Sequence, residues 1–416
     1  AEASAGPYES ALSTLIEAAQ KNNPQLKAAG FKAQAALQVS KAVRSYDAPQ
    51  LGVEFFQAPV SSFPNPLKNQ MEIDYSLQQM IPFPGKLSAM GRAEEARAAM
   101  LTAEQRALEL SLTAGIKTGF AELYLTWRKQ DINSENLALM RTHAEVARAR
   151  YGSGKDGAGD VLRADAEMAA LLSDSITLRQ EENSTAVMIN AAIGRPVDTS
   201  IPRVVVASIF PVPGFAFATL CTLAVARRPE LAAMRSNIDM RVAERVAAQR
   251  EFLPDFMVKG MYKSMMDAPD DYWSLMLGVT LPIAFWSVQK VSATGEAKRL
   301  SGWEAAADME NMRTMVFAQI RDAQGRVEAA QARLDVLVNK AIPVAKEALA
   351  AALTSYKNGT SDFLMLIDDQ KMYFMAKVDL EMTVMGYRQA LAQLEQAVGT
   401  NLVDGQSQAK KQESEK

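Results

Sequence analysis

Hydrophobic and polar residues alternate along two short stretches in the first quarter of the chain. Leu51, Val53 and Phe55, for example, are separated by polar or small residues. A period of two places successive side chains on opposite faces of a β-strand. A second pair of stretches, later in the chain, alternates less regularly. The pattern predicts two strand pairs, at about 48–83 and 254–284.

Most of the remaining chain shows the helical period, with apolar residues three and four positions apart. The pattern predicts helices at about 8–46 and 215–250, each ending before a proline. The stretch from Lys86 to Arg150 contains 65 residues and no proline. A continuous helix of that length would extend about 100 Å, which favours coiled-coil or helical-barrel packing over a globular bundle. The predicted fold class is mainly α with a small β portion.

The chain carries an internal duplication. Landmarks recur at an offset of 205 residues, in the pairs Pro24 and Pro229, Pro49 and Pro254, Tyr151 and Tyr356, Gly154 and Gly359, and Gly194 and Gly399. Five landmarks at one spacing indicate two copies of one structural unit. We therefore predict a first repeat at 1–212, a second repeat at 213–402, and a disordered polar tail at 403–416.

Composition narrows the classes of function. The formal net charge is -3, so no charge excess indicates nucleic acid as a partner. Cys221 is the one cysteine of the sequence, which excludes an intramolecular disulfide framework and a thiol-rich metal site. The one histidine, His143, is predicted on a solvated helical face. Because the sequence contains no Walker A, G-x-S-x-G or H-E-x-x-H motif, we predict no enzymatic activity, no cofactor and no resident metal.

Two stretches bear on the membrane. The first residues, AEASAG, contain no initiator Met and fit a chain whose secretory signal was removed, although a trimmed sequence would begin in the same way. Residues 204–226 carry no charge and are long enough to span a bilayer, but Pro211, Pro213 and Gly214 interrupt them. We predict a short strand, a turn and the start of a helix there, in a buried linker.

Strands of about ten residues with period two are typical of outer-membrane β-barrels, in which apolar side chains face lipid and polar side chains face the lumen. Two soluble hairpins that cover a helical core would show the same alternation. Four strands cannot close a barrel, and open sheet edges in lipid leave backbone groups without hydrogen bonds. If the strands span a membrane, several chains must therefore each contribute four. The absence of an obvious compact domain beside the long helices favours this interpretation.

Several motifs, in order along about 8–402, resemble the TolC-like outer membrane factor family. The matching segments are NPQL, LQQMIPFPGK, RYGSG followed by DVL, AIGRP, RRPEL, LPDF, VTLPI and SYKNGTSDFL. Each motif is short, and their order across nearly the whole chain makes the resemblance specific. The forms PFPGK and LPIAFWS most resemble the heavy-metal-efflux branch of the family.

The resemblance implies a homotrimer that forms a twelve-stranded β-barrel in the bacterial outer membrane, continuous with a twelve-helix periplasmic tunnel. It implies a passive exit duct of a tripartite efflux system, which conducts metal ions or small toxic molecules to the exterior. The implied partners are a periplasmic adaptor protein, an inner-membrane pump reached through the adaptor, and outer-membrane lipid. A type I secretion duct with the same fold and a soluble coiled-coil scaffold are the alternatives.

The resemblance also assigns roles to residues. The turns between the long helices would form a periplasmic tip where the adaptor docks, through Tyr151, Gly154, Asp160, Tyr356, Gly359, Ser361 and Asp362. Within these turns, Asp160 and either Ser361 or Asp362 are predicted helix N-caps. The strand-to-helix junctions would contain Pro82, Pro84, Gly85 and Pro282, since proline has no N–H to donate to a strand. Glu72 and Asp74 would line the barrel lumen and weakly attract cations.

Overall fold

The structure, a computed structural model, describes residues 7–56, 58–65, 67, 72–155, 157–204, 214, 216–265, 270–281 and 285–402. The described chain is mostly α-helical and contains four β-strands, as the sequence pattern predicts. It separates into two compact units. The strand unit comprises Ala28–Gln105 and Glu230–Met312, and the turn unit comprises Ala1–Lys27, Arg106–Pro229 and Arg313–Lys416. The predicted repeat boundary at 212 and the predicted tail at 403–416 lie outside the described residues.

The same order of elements occurs twice along the chain. The first series consists of α1 (Pro7–Asn22), α2 (Pro24–Ala42), β1 (Gln50–Phe56), a 3-10 turn (Val60–Ser62), β2 (Glu72–Ile81), α3 (Lys86–Gly152) and α4 (Ala158–Ile193). The second consists of α5 (Phe217–Arg227), α6 (Pro229–Arg250), β3 (Asp255–Met265), β4 (Tyr272–Thr280), α7 (Phe285–Val336), a π-helical turn (Leu337–Ala341), α8 (Ile342–Asn358) and α9 (Phe363–Val398).

Each predicted first helix is in fact two helices, because a proline begins the second one. Pro24 is the first residue of α2, and Pro229 is the first residue of α6. Proline has no N–H to donate and disfavours helical backbone in the residue before it, so the preceding helix ends there. The Asn23 side chain accepts a hydrogen bond from Leu26 N at 2.9 Å and so caps α2. The prediction of one unbroken helix at each position is wrong.

The predicted long helix is confirmed in the first series and interrupted in the second. Helix α3 is continuous over 67 residues. Its counterpart α7 ends at Val336, and the π-helical turn follows before α8 continues. Pro343 lies in the first turn of α8. Because this proline lacks the N–H that would bond to the preceding turn, it accounts for the local change in helical winding.

The strand unit contains one antiparallel sheet with strand order β1-β2-β3-β4, which confirms both predicted strand pairs. Cross-strand partners point to the same side, and neighbours along a strand point to opposite sides. What we call the apolar face carries Leu51, Val53, Phe55, Ile73, Tyr75, Leu77, Ile81, Phe256, Val258, Tyr262, Trp273, Leu275, Leu277 and Val279. What we call the polar face carries Glu54, Phe56, Glu72, Asp74, Ser76, Gln78, Lys259, Lys263, Tyr272, Ser274 and Thr280, together with five methionines.

Polar contacts link α3 to α9 in the turn unit. The bonded pairs are Lys117–Glu395 at 2.6 Å, Arg128–Glu381 at 2.9 Å and Asn136–Gln370 at 2.7 Å. His143 lies nearer the end of α3 and is 0% exposed. The prediction of a solvated His143 is wrong, because Met140 and Ala147, about one turn away on either side, belong to a buried apolar cluster that α8 and α9 complete.

None of the helices in the described ranges combines the length and the hydrophobicity needed to cross a bilayer. In the uncharged stretch, α5 begins at Phe217 and ends at Arg227, which confirms the predicted start of a helix. The predicted strand and turn before it fall on 205–213, outside the described residues.

Candidate functional site

The first helical turn joins α3 to α4 in the turn unit. Gly154 adopts a φ of 70°, a left-handed conformation that glycine tolerates without strain. Its N–H donates to Tyr151 O at 2.9 Å, and Lys155 N donates to Arg150 O at 3.0 Å, so the end of α3 is closed by backbone hydrogen bonds. The Tyr151 side chain is 53% exposed.

Asp160 does not cap α4 as predicted. Helix α4 begins at Ala158, and the extended residue before it, Gly157, occupies the N-cap position without a side-chain hydrogen bond. Asp160 therefore lies within the first turn of the helix, where a carboxylate still interacts favourably with the helix dipole.

The second helical turn joins α8 to α9. Gly359 has a φ of 77° and ends α8 through a hydrogen bond from its N–H to Tyr356 O at 3.0 Å. Of the two predicted N-caps, Asp362 occupies the position, because its Oδ1 accepts from Met365 N at 2.9 Å. Ser361 Oγ donates to Asp362 O at 3.3 Å.

Arg150 brings the two turns into contact. Its Nη1 atom donates to Lys357 O at 3.1 Å, and its guanidinium lies 4.9 Å from the centre of the Tyr356 ring. The Tyr356 side chain is 1% exposed and packs against the ring of Phe363, with 5.2 Å between the ring centres. The second turn therefore rests on a buried aromatic pair that Arg150 covers.

A cavity of about 760 Å³ lies at the two turns. Five predicted residues line it, namely Asp160, Tyr356, Gly359, Ser361 and Asp362. The predicted Tyr151 and Gly154 are not among its lining residues. Sequence reasoning missed Arg150 and Lys155, which add two positive charges to a wall that already contains two carboxylates. The available signal was the position of Arg150 in the last turn of α3, where a basic side chain interacts favourably with the helix dipole, and Lys155 follows the end of that helix.

The junction between β2 and α3 is held by a charged pair that sequence reasoning also missed. Lys86 Nζ lies 2.8 Å from Asp255 Oδ2, and Asp255 Oδ1 accepts from Phe83 N at 3.2 Å. Gly85 has a φ of 89°, and its carbonyl accepts a hydrogen bond from Arg250. The flanking prolines, Pro82 and Pro84, lie between the last residue of β2 and the first of α3, as predicted. Pro282 lies outside the described residues.

Glu72 and Asp74 lie on the polar face and share one lysine. Lys263 Nζ is 2.6 Å from Glu72 Oε1 and 3.2 Å from Asp74 Oδ2. Because Lys263 offsets part of their charge, the two carboxylates attract cations less than the sequence alone predicts. In the described ranges no group of three or more His, Cys, Asp or Glu side chains is placed to hold a metal ion.

Comparisons with known proteins extend over nearly the whole chain. A family model described as outer membrane efflux protein matches residues 15–195 and 220–400. These two segments are offset by 205 residues, the spacing of the internal duplication. A search of curated proteins gives no match.

Solved structures share the fold at low sequence identity. VceC, an outer membrane protein of Vibrio cholerae, is 19% identical with a TM-score of 0.77, over 94% of this chain and 97% of that chain. The CmeC outer membrane channel of Campylobacter jejuni is 16% identical with a TM-score of 0.77, over 97% and 89%. CusC is 17% identical with a TM-score of 0.81, over 94% and 92%. The predicted resemblance, outer-membrane location and efflux function are confirmed, and the chain belongs to the outer membrane efflux protein family.

Proposed function

We propose that three copies of the chain form the exit duct of a tripartite efflux system, with a closed twelve-stranded barrel in the outer membrane. The observation that carries this proposal is the division of the four-stranded sheet into one apolar and one polar face. A sheet of this kind fits a membrane wall with lipid on one side and water on the other.

The exposure of the apolar face supports contact with lipid. On β4, Trp273 is 80% exposed, Leu275 is 60% exposed and Leu277 is 72% exposed. Aromatic residues lie at both ends of this strand, with Trp273 near its first residue and Trp286, 64% exposed, shortly after its last. Barrel strands place aromatic side chains at the two membrane interfaces and aliphatic ones between them.

The edges of the sheet explain why more than one copy is needed. Strands β1 and β4 are the two edges, so each has one side without a neighbouring strand among the described residues. Unpaired backbone groups in lipid cost several kcal/mol each, and closure removes that cost. Pairing of β4 in one copy with β1 in the next closes a barrel, and three copies supply twelve strands.

The turn cavity is the proposed docking site of the periplasmic adaptor, which in turn connects the duct to an inner-membrane pump. Support comes from its mixed charge, because Arg150, Lys155, Asp160 and Asp362 all line it, and from the exposed position of these turns at the ends of helices. In this proposal the pump supplies the energy and the chain itself performs no chemical step. The cargo class is metal ions or small toxic molecules, in line with the resemblance to the heavy-metal-efflux branch.

Extraction and sizing of the full chain test the proposal. We expect the protein to require detergent and to give the mass of three chains by light scattering. A monodisperse monomer in buffer without detergent would support the soluble scaffold instead. A type I secretion duct is separated from an efflux duct in a deletion strain, because loss of a secreted protein, with unchanged sensitivity to metals and dyes, would identify secretion.

A further inference from the structure

All five methionines of the four strands lie on the polar face. They are Met80 on β2, Met257, Met261 and Met265 on β3, and Met276 on β4. The apolar face of the same sheet has aliphatic and aromatic residues at most of its positions and no methionine. Methionine is thus excluded from the face where an apolar side chain would be expected.

Packing alone does not explain this distribution. Methionine is an apolar and adaptable filler, so a filling role would place it on the apolar face or on both faces. Here it shares a face with Glu72 and Asp74, each of which pairs with Lys263. Met276 is 54% exposed, so its thioether is not covered by the rest of the chain.

The register places several of the sulfur-containing side chains next to one another. Met80 is the direct cross-strand partner of Met257. On the other side of Met257 the partner is Gly278, where an added Cβ would lie 2.8 Å from the Met257 methyl carbon. The glycine therefore leaves room for the end of the methionine side chain. Met261 follows four residues later on β3. Met276 lies diagonally beside Met257 and Met261.

The chemistry of the thioether defines the ligand class. A thioether is an uncharged, soft ligand that favours monovalent copper over hard cations such as magnesium or calcium. It has no proton to lose, so its binding does not depend on pH over the physiological range. Cross-strand partners have Cβ atoms about 5 Å apart, within the reach of two methionine side chains that converge on one ion.

We infer that the polar face is a thioether-lined path for soft monovalent metal cations, of the class of Cu(I) and Ag(I). The inference rests on the proposed function, in which this face lines the duct. The methyl end of Met257 lies over Gly278 on β4, so Met257, Met276 and Met261 form the binding positions along β3 and β4, with Met80 beside them on β2. A cation moves from thioether to thioether along the sheet. Apart from Asp255, which pairs with Lys86, the polar face carries the carboxylates Glu54, Glu72 and Asp74 against Lys259 and Lys263. This excess of one negative charge attracts the cation without holding it firmly.

Silver titration of the purified full chain in detergent tests the inference, because Ag(I) is stable in air. Calorimetry measures the affinity, and carbon-13 spectra of labelled methionine methyl groups identify the sites. The test variant changes Met80, Met257 and Met261 to leucine, which keeps the volume and removes the sulfur. The matched control makes the same change at Met309, Met312 and Met315 on α7.

We expect the strand variant to bind silver at least tenfold more weakly than wild type, and the helix variant to bind as wild type does. In cells, the strand variant should lose silver resistance and keep the export of an organic dye. Unchanged silver affinity in the strand variant, or an equal loss in both variants, would overturn the inference. A wild-type protein that is monomeric yet binds silver at the strand methionines would reject the trimeric duct and leave the thioether site standing.

Discussion

The guanidinium of Arg150 lies 4.9 Å from the centre of the Tyr356 ring, so one side chain of the first helical turn covers the buried base of the second. The same guanidinium donates to Lys357 O at 3.1 Å. A cation–π contact and a charged hydrogen bond together contribute about 1–2 kcal/mol. We expect Arg150→Ala to lower the free energy of unfolding by that amount and to speed amide hydrogen exchange around Gly359.

Arg150→Lys is the matched control for this prediction. Lysine keeps the positive charge and loses the planar group that stacks on an aromatic ring. Its exchange rates should therefore lie between those of wild type and Arg150→Ala. Identical exchange at the second turn in all three proteins would show that Arg150 does not hold the turns together.

The charge of Asp362 can be separated from its capping role. Asparagine is as good an N-cap as aspartate, so Asp362→Asn keeps the hydrogen bond from Met365 N and removes the charge. Asp362→Ala removes both. If the adaptor recognises the charge, both variants should lose export while the protein still assembles in the membrane. Normal export by Asp362→Asn combined with failure of Asp362→Ala would assign the residue to the stability of α9 alone.

Gly359 gives a second test of the docking site. Its φ of 77° disfavours every residue with a Cβ, so Gly359→Ala strains the turn without filling the cavity, whereas Gly359→Trp strains the turn and fills it. We expect export to fall much further with tryptophan than with alanine. Equal losses with intact trimers would attribute the effect to backbone strain and reject docking at this turn.

His143 should make the stability of the protein depend on pH. Burial lowers the pKa of the His143 imidazole, an effect that nearby Lys357 increases and Gln370 partly opposes. Neither ring nitrogen has a hydrogen-bond partner in the described part of the chain, and the same is true of Gln370 Oε1. Because desolvation is the largest of these effects and outweighs that of Gln370, the folded state disfavours the protonated ring.

The direction of the pH effect on stability follows from comparing the protonation of His143 in the folded and unfolded chains. Above about pH 6.5 the imidazole is neutral in the folded and unfolded chains and contributes nothing. As the pH falls below that value, the unfolded chain takes up a proton that the folded chain resists, so the free energy of unfolding decreases. We expect His143→Leu to flatten this decrease between pH 7 and pH 5 in thermal unfolding of the purified protein. Parallel curves for wild type and His143→Leu would contradict the prediction.

If the apolar face contacts lipid, arginine substitutions at two neighbouring residues of β4 should have very different effects on the amount of folded protein. Leu275 lies on the apolar face and Ser274 on the polar face. An arginine near the midplane of the lipid face costs about 2–4 kcal/mol. Leu275→Arg should therefore reduce the amount of folded trimer in the outer membrane, whereas Ser274→Arg should leave it near the wild-type level. Equal recovery of both variants from membranes would place neither face against lipid.

The fold was predictable where one periodic signal extended over many residues. The alternation around Leu51 and the proline-free stretch after Lys86 each identified their elements, and the duplication supported both. The split at Pro24 was missed because the apolar period continues on both sides of the proline. The π-helical turn before Pro343 was missed for a different reason, since it changes the winding of a helix and leaves its pattern intact.

The candidate site was harder to predict because its contacts join distant parts of the sequence. The turn glycines could be found locally, since a left-handed residue at a helix end favours glycine. Tertiary packing creates the contact of Arg150 with Tyr356 and the ion pair of Lys86 with Asp255. The spacing of these residues along the sequence does not predict either contact. The sequence alone does not show which face of the sheet carries the methionines of β3, and the strand register places them on the polar face.

The ion pair at the strand–helix junction should show coupling in a double-mutant cycle. The Lys86 side chain is 14% exposed and that of Asp255 is 29% exposed, so each group has lost much of its hydration. Among the described residues, Asp255→Asn leaves the lysine without a counter-ion, and Lys86→Met leaves the carboxylate with Phe83 N as its one partner. Breaking a buried pair from one side costs more than the pair contributes, and we expect a loss of about 2 kcal/mol in the free energy of unfolding for each single variant at this partial exposure.

The double variant removes both charges and should be clearly more stable than the sum of the single losses predicts. Urea unfolding in lipid vesicles measures all four proteins, and strictly additive losses would show that the pair is too well hydrated to hold β3 against the start of α3.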